Sequence, residues 1–211
     1  MFNNRAQAGK LLAEKLLKYK DEKAVVLAIP RGGLPLGAII AKTLHLPLDI
    51  VLTKKIGHPY NKEYAIGALS LDNIVLGEAA KEISRQYITE ESKLIRQNLQ
   101  DRYQQYYQNK TPEKIEGKIA IIVDDGIATG NTILATVGLI TKSKPSKIVI
   151  AVPVAPPTTV KKLESSSHIH EVLCLLTPPN FQAVGQFYNE FYPVSDKEAI
   201  AFLQSSQVDK V

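Results

Sequence analysis

Tryptophan is absent from this 211-residue chain, and methionine and cysteine occur once each. A single thiol excludes a disulfide framework, and Cys174, inside the apolar run 172–176, is expected to be a core residue of a reduced, cytoplasmic protein. No apolar run approaches the ~18 residues of a membrane span, and no leader-like segment stands near the start, so neither insertion nor secretion is expected. The formal net charge is +5, but the basic residues are dispersed without a dense Lys/Arg block. That balance suits anionic small molecules and gives no reason to expect nucleic acid or a membrane as partner. Dinucleotide binding is disfavoured because no G-x-G-x-x-G occurs. A phosphate loop of the G-x-x-x-x-G-K-[ST] type is missing too, since Gly9-Lys10 precedes Leu11 and Gly117-Lys118 precedes Ile119. His168 and His170 lack a third ligand at a clear spacing and read as a loop before a strand. There are no repeats, low-complexity tracts or linkers, so residues 1–211 are expected to form one domain.

What the chain does contain is Val123-Asp124-Asp125-Gly126-Ile127-Ala128-Thr129-Gly130-Asn131-Thr132 after the β-branched run 119–123. Such a run reads as a central parallel strand buried on both faces, which puts the two acids at its carboxyl end, where open α/β sheets bind ligands. The small residues 128–132 lead into a segment with helical apolar spacing (Ile133, Leu134, Val137, Ile140). Their amides and hydroxyls can close on a phosphate at the positive end of that helix. Paired carboxylates beside such a cradle repel a second phosphate but accept hydrogen bonds from adjacent hydroxyls. A ribose 5-phosphate unit meets both demands. The other reading, an acidic strand end of a nucleotide hydrolase, needs the missing phosphate loop.

A second apolar run, 24–29, ends in Pro30-Arg31-Gly32-Gly33 and an apolar helix over 36–44. Alone it reads as a tight turn with a surface arginine. Beside the first motif it reads as another backbone cradle, with a permanently charged guanidinium. A third stretch, 54–64, follows a strand over 48–53 and is expected to be a polar, basic loop at the end where lids arise. Within it Lys54 and Lys55 are the candidates for anion contact, ahead of any chemical role for Glu63 or Tyr64.

The run 123–132 resembles the phosphoribosyl pyrophosphate signature of type I phosphoribosyltransferases, and with Pro30-Arg31-Gly32-Gly33 and the tail it is similar to a poorly characterised prokaryotic subgroup whose acceptor is not established. The resemblance implies a transferase that moves a 5-phosphoribosyl group from phosphoribosyl pyrophosphate to a small nitrogenous acceptor and releases pyrophosphate. It implies catalytic roles for Asp124, Asp125, Arg31 and Lys54, ribose binding by Asp124 and Asp125, and 5-phosphate binding by Ala128, Thr129, Gly130, Asn131 and Thr132. Pyrophosphate would meet Arg31, Gly32, Gly33, Lys54 and Lys55. Mg²⁺ is the implied cofactor, held largely by substrate oxygens, with Asp124 and Asp125 as the protein's own candidates. Ala128 stands where some purine-specific relatives carry an acid, so the general base is unassigned. A non-catalytic sensor of the same donor is the alternative, ahead of a donor-making pyrophosphokinase. Self-association is left open.

The implied fold is a doubly wound α/β domain, a mostly parallel sheet flanked by helices, with a small cap or hood from the terminal segments, chiefly 178–211. Helices are expected over 8–19, 78–110 and 158–164, a hairpin over 65–76 turning at Asp72-Asn73, strands over 148–154 and 172–176, and a last helix from the capping box Ser195-x-x-Glu198 to Leu203. Aromatic residues make up only 7% of the chain, so their density at Phe181, Phe187, Tyr188, Phe191 and Tyr192 stands out. They are expected mainly to pack, with stacking on a planar acceptor as the other reading.

Overall fold

The β-branched runs form inner strands and the polar stretches between them form the connections. The computed structural model describes residues 1–108 and 111–205, with Glu63 described by its backbone alone. Residues 206–211, the end of the expected cap, and residues 109–110, the end of the expected helix 78–110, lie outside the described residues. The strands are β1 (Ala24–Ala28), β2 (Leu48–Ile50), β3 (Lys54–His58), β4 (Asn61–Leu69), β5 (Ile74–Leu76), β6 (Ile119–Val123), β7 (Lys147–Val154) and β8 (Glu171–Leu176). The helices are α1 (Arg5–Lys15), α2 (Gly33–Leu44), α3 (Arg85–Tyr107), α4 (Asn131–Thr141), α5 (Pro157–Glu164) and α6 (Asp196–Ser205).

These elements divide into two compact units. The first contains a five-stranded, all-parallel sheet in the order β2-β1-β6-β7-β8, with α1, α2, α5 and α6. Strands β1 and β6 are buried almost throughout, as apolar strands covered on both faces should be. From β1 the chain passes to β2 on one side, while β6 lies on the other. The β1/β6 boundary is therefore the switch point at which doubly wound sheets bind ligands. Helix α1 lies close against α2 because Gly9 has no side chain there: a Cβ would stand 3.1 Å from the Leu36 Cα.

The second unit contains the antiparallel sheet β3-β4-β5 with α3 and α4. Ile56, Ile66, Leu69, Ala80, Ile95 and Leu99 form its core. Here one expectation is corrected. Residues 54–64 are not a loop, because β3 and the start of β4 pair as a hairpin with register shifts around Gly57. Lys54 and Lys55 at the start of β3 are exposed whereas Ile56 is fully buried, so a strand whose exposed end is basic looks polar in sequence. Gly57 permits the irregularity: a Cβ would lie 2.6 Å from the Lys62 carbonyl oxygen. The expected hairpin over 65–76 is present as β4 and β5.

Other boundaries move for local reasons. Helix α1 starts at Arg5, ahead of the expected residue 8, because the Asn4 side chain caps it by accepting the Gln7 N–H. It ends at Lys15, and a 3₁₀ turn follows over Leu17–Tyr19. The expected helix 78–110 is a 3₁₀ segment, Glu78–Glu82, then α3 capped by Ser84. Strand β2 stops at Ile50, short of residue 53. Cys174 is only half-buried, since β8 is an edge strand. Burial still pushes its thiol up to about 11, away from reactivity.

Candidate active site at the edge of the parallel sheet

Strand register brings the two leading sequence motifs together. Ala28 of β1 pairs with Val123 of β6, so both strands end side by side and release their loops at the same edge. The Ile29 N–H donates to the Val123 carbonyl at 2.9 Å, and the Gly33 N–H turns back to the Ile29 carbonyl at 3.0 Å. The Pro30–Arg31 peptide is cis. Loop and acidic pair approach so closely that only glycine fits: a Cβ on Gly33 would lie 2.5 Å from the Val123 carbonyl oxygen, and one on Gly32 would lie 2.0 Å from Asp125 Oδ2.

The acids sit in a closely packed setting. Asp124 Oδ1 accepts the Asp125 N–H at 2.8 Å. Burial, reinforced by the negative charge of Asp125, holds the Asp124 carboxyl well above the usual carboxylate range. Burial raises Asp125 as well, opposed by Arg5, whose Nε and Nη2 donate to Oδ2 at 2.9 and 2.8 Å. The Tyr188 hydroxyl donates to the Asp125 carbonyl at 2.7 Å. Burial drives that phenol far upward, so Tyr188 is a donor here and no base.

Arg5, Tyr188 and Phe191 carry no individual signal in the sequence. Arg5 is 120 positions from Asp125 and stands in the ordinary run Asn3-Asn4-Arg5. Only the aromatic density of the tail hints at its partners. The Arg5 guanidinium lies 3.9 Å from the Phe191 ring centroid, and its Nη1 donates to the Tyr192 carbonyl at 2.7 Å. Tyr188 stacks on Phe191, and Phe2 packs on Tyr188. These rings are a packed mount for Arg5, which favours the packing reading of that part of the tail.

The turn after the acids is open. Ala128 and Thr129 are exposed, and their N–H groups and that of Gly130 have no hydrogen-bond partner among the described residues. Gly130 takes a left-handed conformation (φ +74°), and its Cβ position is 3.0 Å from the Thr159 methyl group. The Thr159 hydroxyl fixes the turn by donating to the Ala128 carbonyl at 2.6 Å. Asn131 and Thr132 continue the chain as the exposed first turn of α4.

Arg31 is exposed and stands 3.7 Å from the Asp196 carboxylate at the start of α6. Lys54 and Lys55 lie in β3 of the second unit, where Lys54 borders a cavity of about 430 Å³ with Thr53, Asn98, Leu99, Asp101 and Arg102. Tyr64 is exposed on β4. His170 accepts the Ile148 N–H through Nδ1 and so serves the β7 edge. Among the described residues no group of three or more His, Cys, Asp or Glu side chains forms a metal site.

The family model for the phosphoribosyl transferase domain matches residues 2–188, and the chain belongs to that family. It is 36% identical to a phosphoribosyl transferase homologue of Mycobacterium tuberculosis H37Rv whose name marks the activity as unproven, over 99% of this chain and 48% of that protein. This chain thus spans about half the length of the curated relatives it matches. The crystal structure of TT1426 from Thermus thermophilus is similar, with 35% identity, coverage of 97% and 98% of the two chains and a TM-score of 0.88. The purine phosphoribosyltransferase of Pyrococcus horikoshii shares the fold at 19% identity, 90% and 92% coverage and a TM-score of 0.50. No helix among the described residues is long and apolar enough to cross a membrane.

Proposed function

We propose that this chain transfers the 5-phosphoribosyl group of phosphoribosyl pyrophosphate to a small nitrogenous acceptor, a nucleobase or related molecule, with release of pyrophosphate. The observation that carries this reading is the direct packing of the 30–33 loop against Asp124 and Asp125 at the switch point of the sheet. Departure of pyrophosphate leaves positive charge on the ribose ring and negative charge on the leaving group. Asp124 and Asp125 accept hydrogen bonds from the ribose hydroxyls and set negative charge beside the developing cation. Arg31 and the backbone at Gly32 and Gly33 receive the leaving group. The open amides of 128–130, with Asn131 and Thr132, anchor the 5-phosphate and turn remote binding energy into orientation.

Mg²⁺ is proposed as cofactor. Asp124 Oδ2 and Asp125 Oδ1 have no hydrogen-bond partner among the described residues, and two hard oxygens without a third protein ligand fit an ion held mainly by substrate. When bound it would neutralise pyrophosphate charge. Pyrophosphate contact by Lys54 and Lys55 rests on the family resemblance alone, as does the hood role of residues 178–211.

The test is calorimetric titration of phosphoribosyl pyrophosphate with Mg²⁺, followed by a pyrophosphate-release screen over nucleobases and small amines. Donor uptake with release for one acceptor supports the transferase and identifies its substrate. Uptake without release for any acceptor favours the sensor, and no uptake overturns the reading.

A further inference from the structure

The carboxylate of Asp125 occupies an awkward position for a site that takes an anionic leaving group. Its Oδ2 fills the space where a Gly32 side chain would begin, so a negative charge lies directly on the backbone of the loop proposed to hold pyrophosphate. Uncompensated, it would repel that ligand. The same oxygen receives two N–H groups of Arg5, and both side chains are largely shielded from water, at 12% and 14% exposure. Arg5 is itself fixed on three sides, by Asp125, by the Phe191 ring and by the Tyr192 carbonyl. Gly9 lets α1, which begins at Arg5, pack closely on α2, whose first residue is Gly33. The aromatic run Phe2, Tyr188 and Phe191 ties the two terminal segments together beside it.

We propose that Arg5 is a positioning residue of the donor site: it turns the Asp125 carboxylate into one fixed orientation and offsets the charge of Oδ2, the oxygen that lies on the pyrophosphate loop, with the Phe191-Tyr192 segment as its clamp. A planar guanidinium suits this task because two of its N–H groups grip one carboxylate oxygen while its face lies on an aromatic ring. Arg5 makes no contact with reacting atoms in this proposal. It acts through Asp125, and the proposal rests on the donor reading given above.

The test compares wild type, Arg5→Ala, Arg5→Lys, Asp125→Asn and the double variant Arg5→Ala/Asp125→Asn. Each is titrated with phosphoribosyl pyrophosphate and Mg²⁺, and each is checked for folding by its melting transition. Arg5→Ala is expected to weaken donor binding about tenfold to a hundredfold, the range for losing a charged hydrogen bond. Arg5→Lys should recover part of the loss. In the Asp125→Asn background removal of Arg5 should cost little further, because the group it positions is gone. The Arg5 Nε–H resonance, read without donor, should exchange slowly with water in wild type and rapidly in Asp125→Asn. Phe191→Leu, which keeps the apolar packing and removes the ring face, should weaken donor binding by less than Arg5→Ala, and it serves if Arg5→Ala fails to fold. Donor binding unchanged in Arg5→Ala, or an equal loss with and without Asp125, overturns the inference while wild-type binding keeps the proposed function standing. Wild type that takes up no donor overturns the proposed function and this inference with it.

Discussion

Two adjacent glycines separate packing from chemistry at this site. A methyl group on Gly33 meets backbone, 2.5 Å from the Val123 carbonyl oxygen, so Gly33→Ala forces apart the ends of β1 and β6 and should cost about 1–3 kcal/mol, read as a lower melting temperature. A methyl group on Gly32 meets the Asp125 carboxylate instead. Gly32→Ala should therefore lose donor affinity out of proportion to its loss of stability, and equal melting losses in the two variants would contradict this division. Replacing both acids, Asp124→Asn with Asp125→Asn, should abolish pyrophosphate release, and undiminished turnover would sink the site assignment. At this scale the acids and glycines are legible because their chemistry is written locally, in a strand end and a small-residue turn. Arg5 is not, because its role arises from packing across 120 positions and leaves no pattern around itself.

Elements are legible where one pattern governs both faces. The inner strands β1, β6 and β7 are apolar on both sides, so composition alone marks them. The β3–β4 hairpin reads as a loop because its burial does not alternate along the strand: the exposed Lys54, Lys55 and Lys62 dominate the sequence while Ile56 and Ile66 carry the packing. That core belongs to the second unit and also includes Leu69, Ile95 and Leu99. Ile56→Ala is expected to cost about 2–5 kcal/mol, the range for deleting a fully buried aliphatic side chain. The loss should show as faster amide exchange in β3, β4 and α3 before β1 and β6 are affected, and a uniform acceleration across all these strands would argue against separate units. The capping box at α6 is present as its spacing predicts, since Ser195 and Glu198 satisfy each other's backbone N–H groups. Its position gives it a further consequence, because Asp196, the first residue of α6, is the ion partner of Arg31.

For the molecule as a whole, the candidate site is a place of stored instability. Asp124 and Asp125 both have carboxyls raised above the ordinary range, first by burial. A group that binds its proton more tightly when folded stabilises the fold while protonated, and that contribution is lost as pH rises through its folded value. Glu171 and Glu198 act in the opposite sense. For Glu171 burial is outweighed by hydrogen bonds from Lys18 and Tyr19, and Glu198 is lowered by Ser195, so their support is lost only as pH falls into the acid range. The donor-free protein should thus lose melting temperature as pH rises through the raised folded values of Asp124 and Asp125. Asp124→Asn removes the least comfortable of these charges yet can still accept the Asp125 N–H through its amide oxygen. Once pH has risen past the folded value of Asp124 it should melt about 2–4 °C higher than wild type, the shift expected for about 1 kcal/mol in a chain of this size, with the difference shrinking as pH falls. Melting curves across a pH series check this directly, and parallel slopes for the two proteins would refute it. Adding phosphoribosyl pyrophosphate with Mg²⁺ should reverse the order at the alkaline end, because ligand binding stabilises only the protein that binds it. On the proposed function, ribose hydroxyls binding to these two largely shielded carboxylates would offset their cost in stability.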